Sequence, residues 1–399
     1  MMNQPIESSG KKRIAVIATV YTYLSHAQHF ADRLMVGYPY AGKWQDPGTE
    51  VVSLYVEQKP VGDQSQDRAK EFGFTVYSTI AETLRCGSDQ LAVDGILIIG
   101  EHGNYPSNQL GQILYPRYEF FKACVDVFEQ DGRSVPIFND KHLSYSFEKA
   151  KEMVDDSNRL NFPILAGSSL PVTWRLPDLE LDFGCQLESA LMVGVGGSDP
   201  MDYHALEAMQ CMIERRQGGE SGVSSVQLID GDSVWQAGRD GLWSMDLLEA
   251  ALSRSDTPCG LTDQDGRTQD LIRTGELYRL VDNPSAYLIE HNDGFNSVLL
   301  MLNGAVRDYC FAGQVNGQIV SNQFFLTPTP NVTYSACLIK KIEEMYLTGQ
   351  APYPVERTLL VSGTLESCLK SRHSDHQKLE TPHLNVAYQA PPESQHARI

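Results

Sequence analysis

Histidine, carboxylate and lysine gather in three short stretches of this chain. Gly100-Glu101-His102-Gly103-Asn104 closes one apolar run, Asp140-Lys141-His142 closes another, and His204 stands three residues before Glu207. Neutral imidazole is the commonest protein ligand for Zn, Mn or Fe, and three imidazoles with a carboxylate leave a coordination position open to water or substrate. Asp140 and His142, two apart on extended chain, can face one side. His204 and Glu207, three apart, share a helix face. Glu101 would point away from a ligand site at His102 or act as a base, and Lys141 would stabilise a developing oxyanion or serve as base. A metal held here would polarise an oxygen or activate water without hydride chemistry. A histidine at a strand end is more often a hydrogen-bonded cleft residue than a ligand, so the metal reading depends on the three meeting at one place.

The elements that must position these residues are legible from pattern. Residues 14–18, 51–56, 94–100 and 135–138 read as short buried strands, and 25–36, 63–72, 79–85, 115–129 and 144–154 as the helices between them. Strands alternating with helices imply a parallel sheet with right-handed crossovers. Beyond about residue 160 the texture changes. A helix from Pro200 to Arg216, capped by Asp199, precedes strand-like runs at 225–229, 286–291, 297–302, 306–311 and 319–325 joined by Gly/Asn/Asp turns. Helices at 334–347 and 357–371 close the chain, and the polar stretch from Ser374 reads as loosely held.

The first strand and turn have the shape of a dinucleotide fingerprint without its glycines. Ala18, Val20 and Tyr23 stand where G-x-G-x-x-G would place Gly for the tight turn, for backbone contact with pyrophosphate, and for helix packing. Side chains at Val20 and Tyr23 would lie where a diphosphate meets bare N–H groups. The acid that normally meets the ribose at the end of the second strand has one counterpart, Glu57, two residues beyond Tyr55.

Arg13-Ile-Ala-Val-Ile17 with His26 a turn later, Val93-Asp-Gly-Ile-Leu-Ile-Ile99, Val135-Pro-Ile-Phe-Asn-Asp-Lys141, the Asp199 to His204 helix start and Tyr353-Pro-Val-Glu-Arg-Thr-Leu-Leu-Val-Ser-Gly363 follow one another in an order that resembles the Gfo/Idh/MocA family of sugar and cyclitol dehydrogenases. The resemblance implies a Rossmann-like doubly wound parallel sheet over residues 1–155, a C-terminal α+β unit with an open, mostly antiparallel sheet over 156–373, and a polar tail over 374–399. It also implies that His102, His142 and His204 face one interdomain cleft, that Asp140-Lys141 matches the family's Glu-Lys-Pro strand end, and that the sheet forms a dimer or tetramer interface. The leading expectation is therefore a divalent metal on His102, His142 and His204, with Asp140 or Glu207, supporting a lyase, hydrolase or isomerase reaction on a polar, hydroxyl-bearing small molecule. The alternative is an NAD(P)-dependent oxidoreductase with an unorthodox pyrophosphate loop, in which His204 is general acid/base and Lys141 polarises the oxygen. A non-catalytic binding subunit is the third reading.

Bulk properties narrow the partners. With 399 residues the chain suits two domains, and a net charge of −19 disfavours nucleic acid and anionic membranes. Eight cysteines without a C-x-x-C pair and no run of 18 apolar residues fit a cytoplasmic protein. Tyr105, Asn108, Tyr115 and Arg117 follow the Glu-His-Gly turn and are substrate-binding candidates. Trp174 and Arg175 could line the cleft, Arg175 binding a carboxylate or phosphate.

Overall fold

A computed structural model describes residues 10–197, 199–330 and 332–398. Its first sheet is wholly parallel, in the order β5-β4-β1-β6-β7-β8, from β1 (Lys12–Ala18), β4 (Thr49–Val56), β5 (Thr75–Tyr77), β6 (Gly95–Ile99), β7 (Ile137–Asp140) and β8 (Ile164–Gly167). A hairpin of β2 (Tyr38–Tyr40) and β3 (Lys43–Gln45) stands apart from it. Residues 14–18 and 95–99 are buried without alternation, as strands covered on both faces must be. The covering helices are α1 (His26–Val36), α2 (Ser65–Phe72), α3 (Ile80–Arg85), α4 (Arg117–Asp131) and α5 (Phe147–Leu160). One face is covered by α1 together with a returning helix, Ser335–Thr348, whose Tyr346 hydroxyl donates to the Ile96 carbonyl at 2.7 Å. Gly95 is required at that crossing, because a Cβ there would lie 2.6 Å from the Tyr346 ring.

The second sheet has eight strands in the order β16-β11-β12-β13-β10-β14-β15-β9. They are β9 (Trp174–Leu176), β10 (Leu187–Gly194), β11 (Val223–Asp230), β12 (Ser285–His291), β13 (Asn296–Met301), β14 (Tyr309–Val315), β15 (Gln318–Phe325) and β16 (Leu379–Glu380). Only the β10–β13 pair is parallel. Helix α6 (Asp199–Ile213) is buried between this sheet and the first, within one continuous apolar core.

The described part of the stretch from Ser374, residues 374–398, expected to be loose, is held at several points. Thr381 donates its N–H to Ser224 O at 2.8 Å, Tyr388 and Glu220 exchange backbone hydrogen bonds at 3.0 Å, and Ala397 donates to Val172 O at 2.9 Å. His396 is buried, with Nε2 2.6 Å from Asp178. Polarity misled here because backbone pairing to β11 and buried ion pairs, rather than apolar side chains, hold the segment. Among the described residues no helix is long and apolar enough to cross a membrane.

Candidate active site

The sheet reverses direction of growth at β1, and the carboxyl ends of β1, β6 and β7 open on the crevice where ligands of such sheets bind. Glu101 follows β6, buried, its carbonyl accepting from the Thr19 hydroxyl at 2.6 Å. Arg117, the first residue of α4 and wholly buried, places Nη2 2.5 Å from Glu101 Oε2, and Lys141 Nζ lies 3.5 Å from Oε1. Burial alone would raise the Glu101 carboxyl, but Lys141 and Arg117 outweigh it and hold the group ionised, far below the usual carboxylate range. Gly100 lets the arginine pass, since a Cβ there would meet Arg117 Cγ at 2.6 Å.

Behind this pair stands His142, whose Nε2 lies 3.2 Å from Arg117 Nη1 and 3.4 Å from Asp199 Oδ2. Guanidinium can only donate, so Nε2 accepts and the ring is neutral. Burial and the arginine's charge agree, pushing the His142 pKa well down. Asp199 takes a 3.2 Å hydrogen bond from Gln112, and burial raises its carboxyl to about 6. On the open side, Asp140 Oδ2 lies 2.7 Å from His26 Nδ1 at the start of α1. His204, partly exposed on α6, is kept neutral by burial and by the charges of Lys141 and His26. Both Lys141 (φ 63°) and His102 (φ 67°) are left-handed, a cost of about 1–2 kcal/mol each that the surrounding packing must sustain. Arg117 Nε, Asn139 Oδ1, Asp140 Oδ1, His142 Nδ1 and His204 Nδ1 are buried without a protein partner, a concentration of polar atoms suited to a hydroxyl-rich ligand.

Comparisons fit this architecture. No family model matches the sequence, and no curated protein does. Among solved structures, myo-inositol 2-dehydrogenase from Lactobacillus plantarum aligns over 93% of this chain and 99% of its own at 10% identity and TM-score 0.55. A probable dehydrogenase from Thermotoga maritima aligns over 93% and 99% at 12% identity and TM-score 0.56. Myo-inositol dehydrogenase from Lactobacillus casei, solved with NAD(H) and myo-inositol, aligns over 93% and 96% at 12% identity and TM-score 0.53. The chain has the Gfo/Idh/MocA fold.

Within that fold the expected metal centre is corrected. Among the described residues no group of His, Cys, Asp and Glu is placed to hold a metal ion. His102 is on an exposed turn, its ring 5.2 Å from that of His26, while His142 lies deep with Nε2 committed to Arg117. Asp140 is paired with His26. Glu207 turns the other way on α6, accepting from the Ser168 amide at 3.0 Å and hydroxyl at 2.6 Å. The expectation of Zn, Mn or Fe on His102, His142 and His204 with Asp140 or Glu207 fails, and with it the metal-dependent lyase, hydrolase or isomerase. The three solved structures named above are two inositol dehydrogenases and a probable dehydrogenase.

Glu207 still gives a clean pH prediction, because burial lifts its carboxyl to about 7. A carboxyl raised in the folded state contributes stability below its unfolded pKa, and this is lost as pH climbs through the folded value. Between pH 5 and 8 the wild-type protein should lose up to about 3 kcal/mol that Glu207→Gln does not lose. Urea unfolding of both proteins at the two pH values checks this, and equal slopes would refute it.

The remaining predicted residues fall into three groups. Asn108 organises its own loop, accepting from the Leu110 and Gln112 amides at 2.9 and 3.1 Å. Trp174 and Arg175 lie on edge strand β9, where Arg175 is buried against Glu180 at 2.7 Å and over the Phe324 ring, partners outside the Lys141 cluster. The glycine-less turn is better disposed than its residue types suggest. Ala18 ends β1 within the core, Val20 and Tyr21 are buried, and Tyr23 is 65% exposed. Glu57 follows β4 directly, its N–H on Ala18 O at 3.0 Å, in the place of the ribose-binding acid. Helix α1 opens at the same edge with Ser25 as cap. These residues fit an NAD(P) ribose at Glu57 and a diphosphate near α1. His26, Asp199 and Gln112 were not foreseen as site residues. Asp199 reads from sequence as a helix cap, which hides its carboxylate's position against His142.

Proposed function

We propose that this chain is an NAD(P)-dependent oxidoreductase acting on a hydroxyl of a sugar, cyclitol or related polyol, in the cleft between the carboxyl ends of β1, β6 and β7 and helix α6. The observation that carries the reading is Lys141, fixed by Glu101 at 3.5 Å where β7 ends, with neutral His204 within electrostatic reach on α6. Nicotinamide dinucleotide, when bound, supplies two-electron redox chemistry. The protein's part is proton handling. His204 accepts the substrate hydroxyl proton, and the Lys141 ammonium stabilises the developing alkoxide. Glu101 is a positioning residue that aims Lys141, and Arg117 in turn holds Glu101 in place. Asn139 and Asp140 present acceptor oxygens to further hydroxyls of a polyol.

Incubating the purified chain with NAD+ or NADP+ and a panel of cyclitols and aldoses, while following reduced-nicotinamide absorbance, tests the reading. Turnover that disappears in Lys141→Met supports it. Absence of turnover across the panel, together with no binding of either dinucleotide at millimolar concentration, would overturn it.

A further inference from the structure

The end of β4 and the loop after β6 are joined directly across the end of β1, the strand between them. The Tyr105 hydroxyl donates to Glu57 Oε2. The Gln58 side-chain amide pairs reciprocally with the Asn104 backbone, accepting from its N–H at 3.0 Å and donating to its carbonyl at 3.3 Å. Gly103 makes this approach possible: its φ is +99°, and a Cβ there would stand 2.8 Å from Tyr105 Cε2 and 3.2 Å from Gln58 Oε1. The segment that carries Gln58 is itself seated on the turn after β1, by Gln58 N–H to Thr19 O at 2.9 Å and Gln64 N–H to Tyr21 O at 2.8 Å.

We propose that Tyr105, Gln58 and Gly103 form a clasp that closes the adenosine half of the dinucleotide site, so that cofactor binding is coupled to its opening. This rests on the oxidoreductase reading and adds a control to it. Glu57 is the acid in place to receive a ribose diol, and in the closed form its carboxylate is already held by Tyr105. The bonds are largely exposed, so the clasp opens at modest cost and competes with the ligand without abolishing the site. A ligand confined to the nicotinamide end, on the Lys141 side of β1, meets no such competition.

The test compares wild type with a Tyr105→Phe/Gln58→Ala double variant, titrating NADH and reduced nicotinamide mononucleotide by fluorescence. The NADH Kd should fall about tenfold in the variant, the ratio expected when the open form is about a tenth of wild-type molecules, while the mononucleotide Kd stays unchanged. Gly103→Ala, which crowds the clasp without removing a hydrogen-bonding side chain, should move NADH affinity the same way. Unchanged or weaker NADH binding in the double variant, with wild type binding normally, would overturn the clasp and leave the oxidoreductase reading standing. Equal tightening of both ligands would overturn it as a control on the adenosine end. NADH binding by neither protein would overturn both. A thermal melt of each variant confirms that the fold is intact.

Discussion

Lys141→Met should lower kcat for polyol oxidation by about three orders of magnitude while costing less stability than loss of Arg117. The stem of the side chain is kept and only the ammonium is lost. The variant should stay folded because Glu101 retains Arg117 at 2.5 Å when the lysine is gone. Lys141→Arg should rescue poorly. Lys141 is pinned in a left-handed conformation with its N–H on Gly167 O at 2.9 Å, and a broad guanidinium cannot reproduce a point charge aimed from so fixed a base. His204→Gln should also reduce kcat. In wild type, activity should persist from neutral pH down to well below 6.5 before His204 protonates, since burial and the nearby Lys141 charge hold its pKa down. A Lys141→Met enzyme within tenfold of wild type would remove lysine from the chemistry.

Four of the six strands of the first sheet were readable because runs such as β1 and β6 are continuously apolar, with helices of clear period between them, whereas the short β5 (Thr75–Tyr77) and β8 (Ile164–Gly167) were not. Nor was β10 (Leu187–Gly194), because Leu-Glu-Ser-Ala-Leu-Met is mostly good helix formers and the stretch runs on into Gly194-Val-Gly-Gly197, which reads as a turn. Its strand state is imposed by pairing to β13 and β14, a long-range fact. The same limit governs the site. Strand ends and residue types marked out Glu101, Lys141 and His204, but not how deep each would lie. His102 and His142, equivalent on paper as potential ligands, are separated by backbone geometry: a left-handed turn lifts one to the surface, while the other is drawn under Arg117. Val20 misleads for a related reason, since residue type alone does not say that its side chain is buried.

Arg117→Met should be the most destabilising single change in the site, by about 3–5 kcal/mol, because it strands buried charge. Arg117 is wholly buried and serves two partners: it is the nearer of the two cations that neutralise Glu101, and it donates to His142 beside Asp199. With the guanidinium gone, Glu101 keeps only Lys141 at 3.5 Å, and its carboxyl rises from the low value the two cations now enforce. The variant should therefore recover part of its lost stability as pH falls and Glu101 takes up a proton. Wild type, whose Glu101 is depressed below its unfolded value, loses stability in the same direction. Adding Glu101→Gln to Arg117→Met should recover part of the loss at neutral pH, giving a coupling energy that a merely steric role for the arginine would not produce. A double-mutant cycle by chemical denaturation at pH 7 and pH 5 measures it. Additivity of the two changes at both pH values would mean that packing of the Arg117 stem against Gly100, rather than charge pairing, is what the arginine contributes.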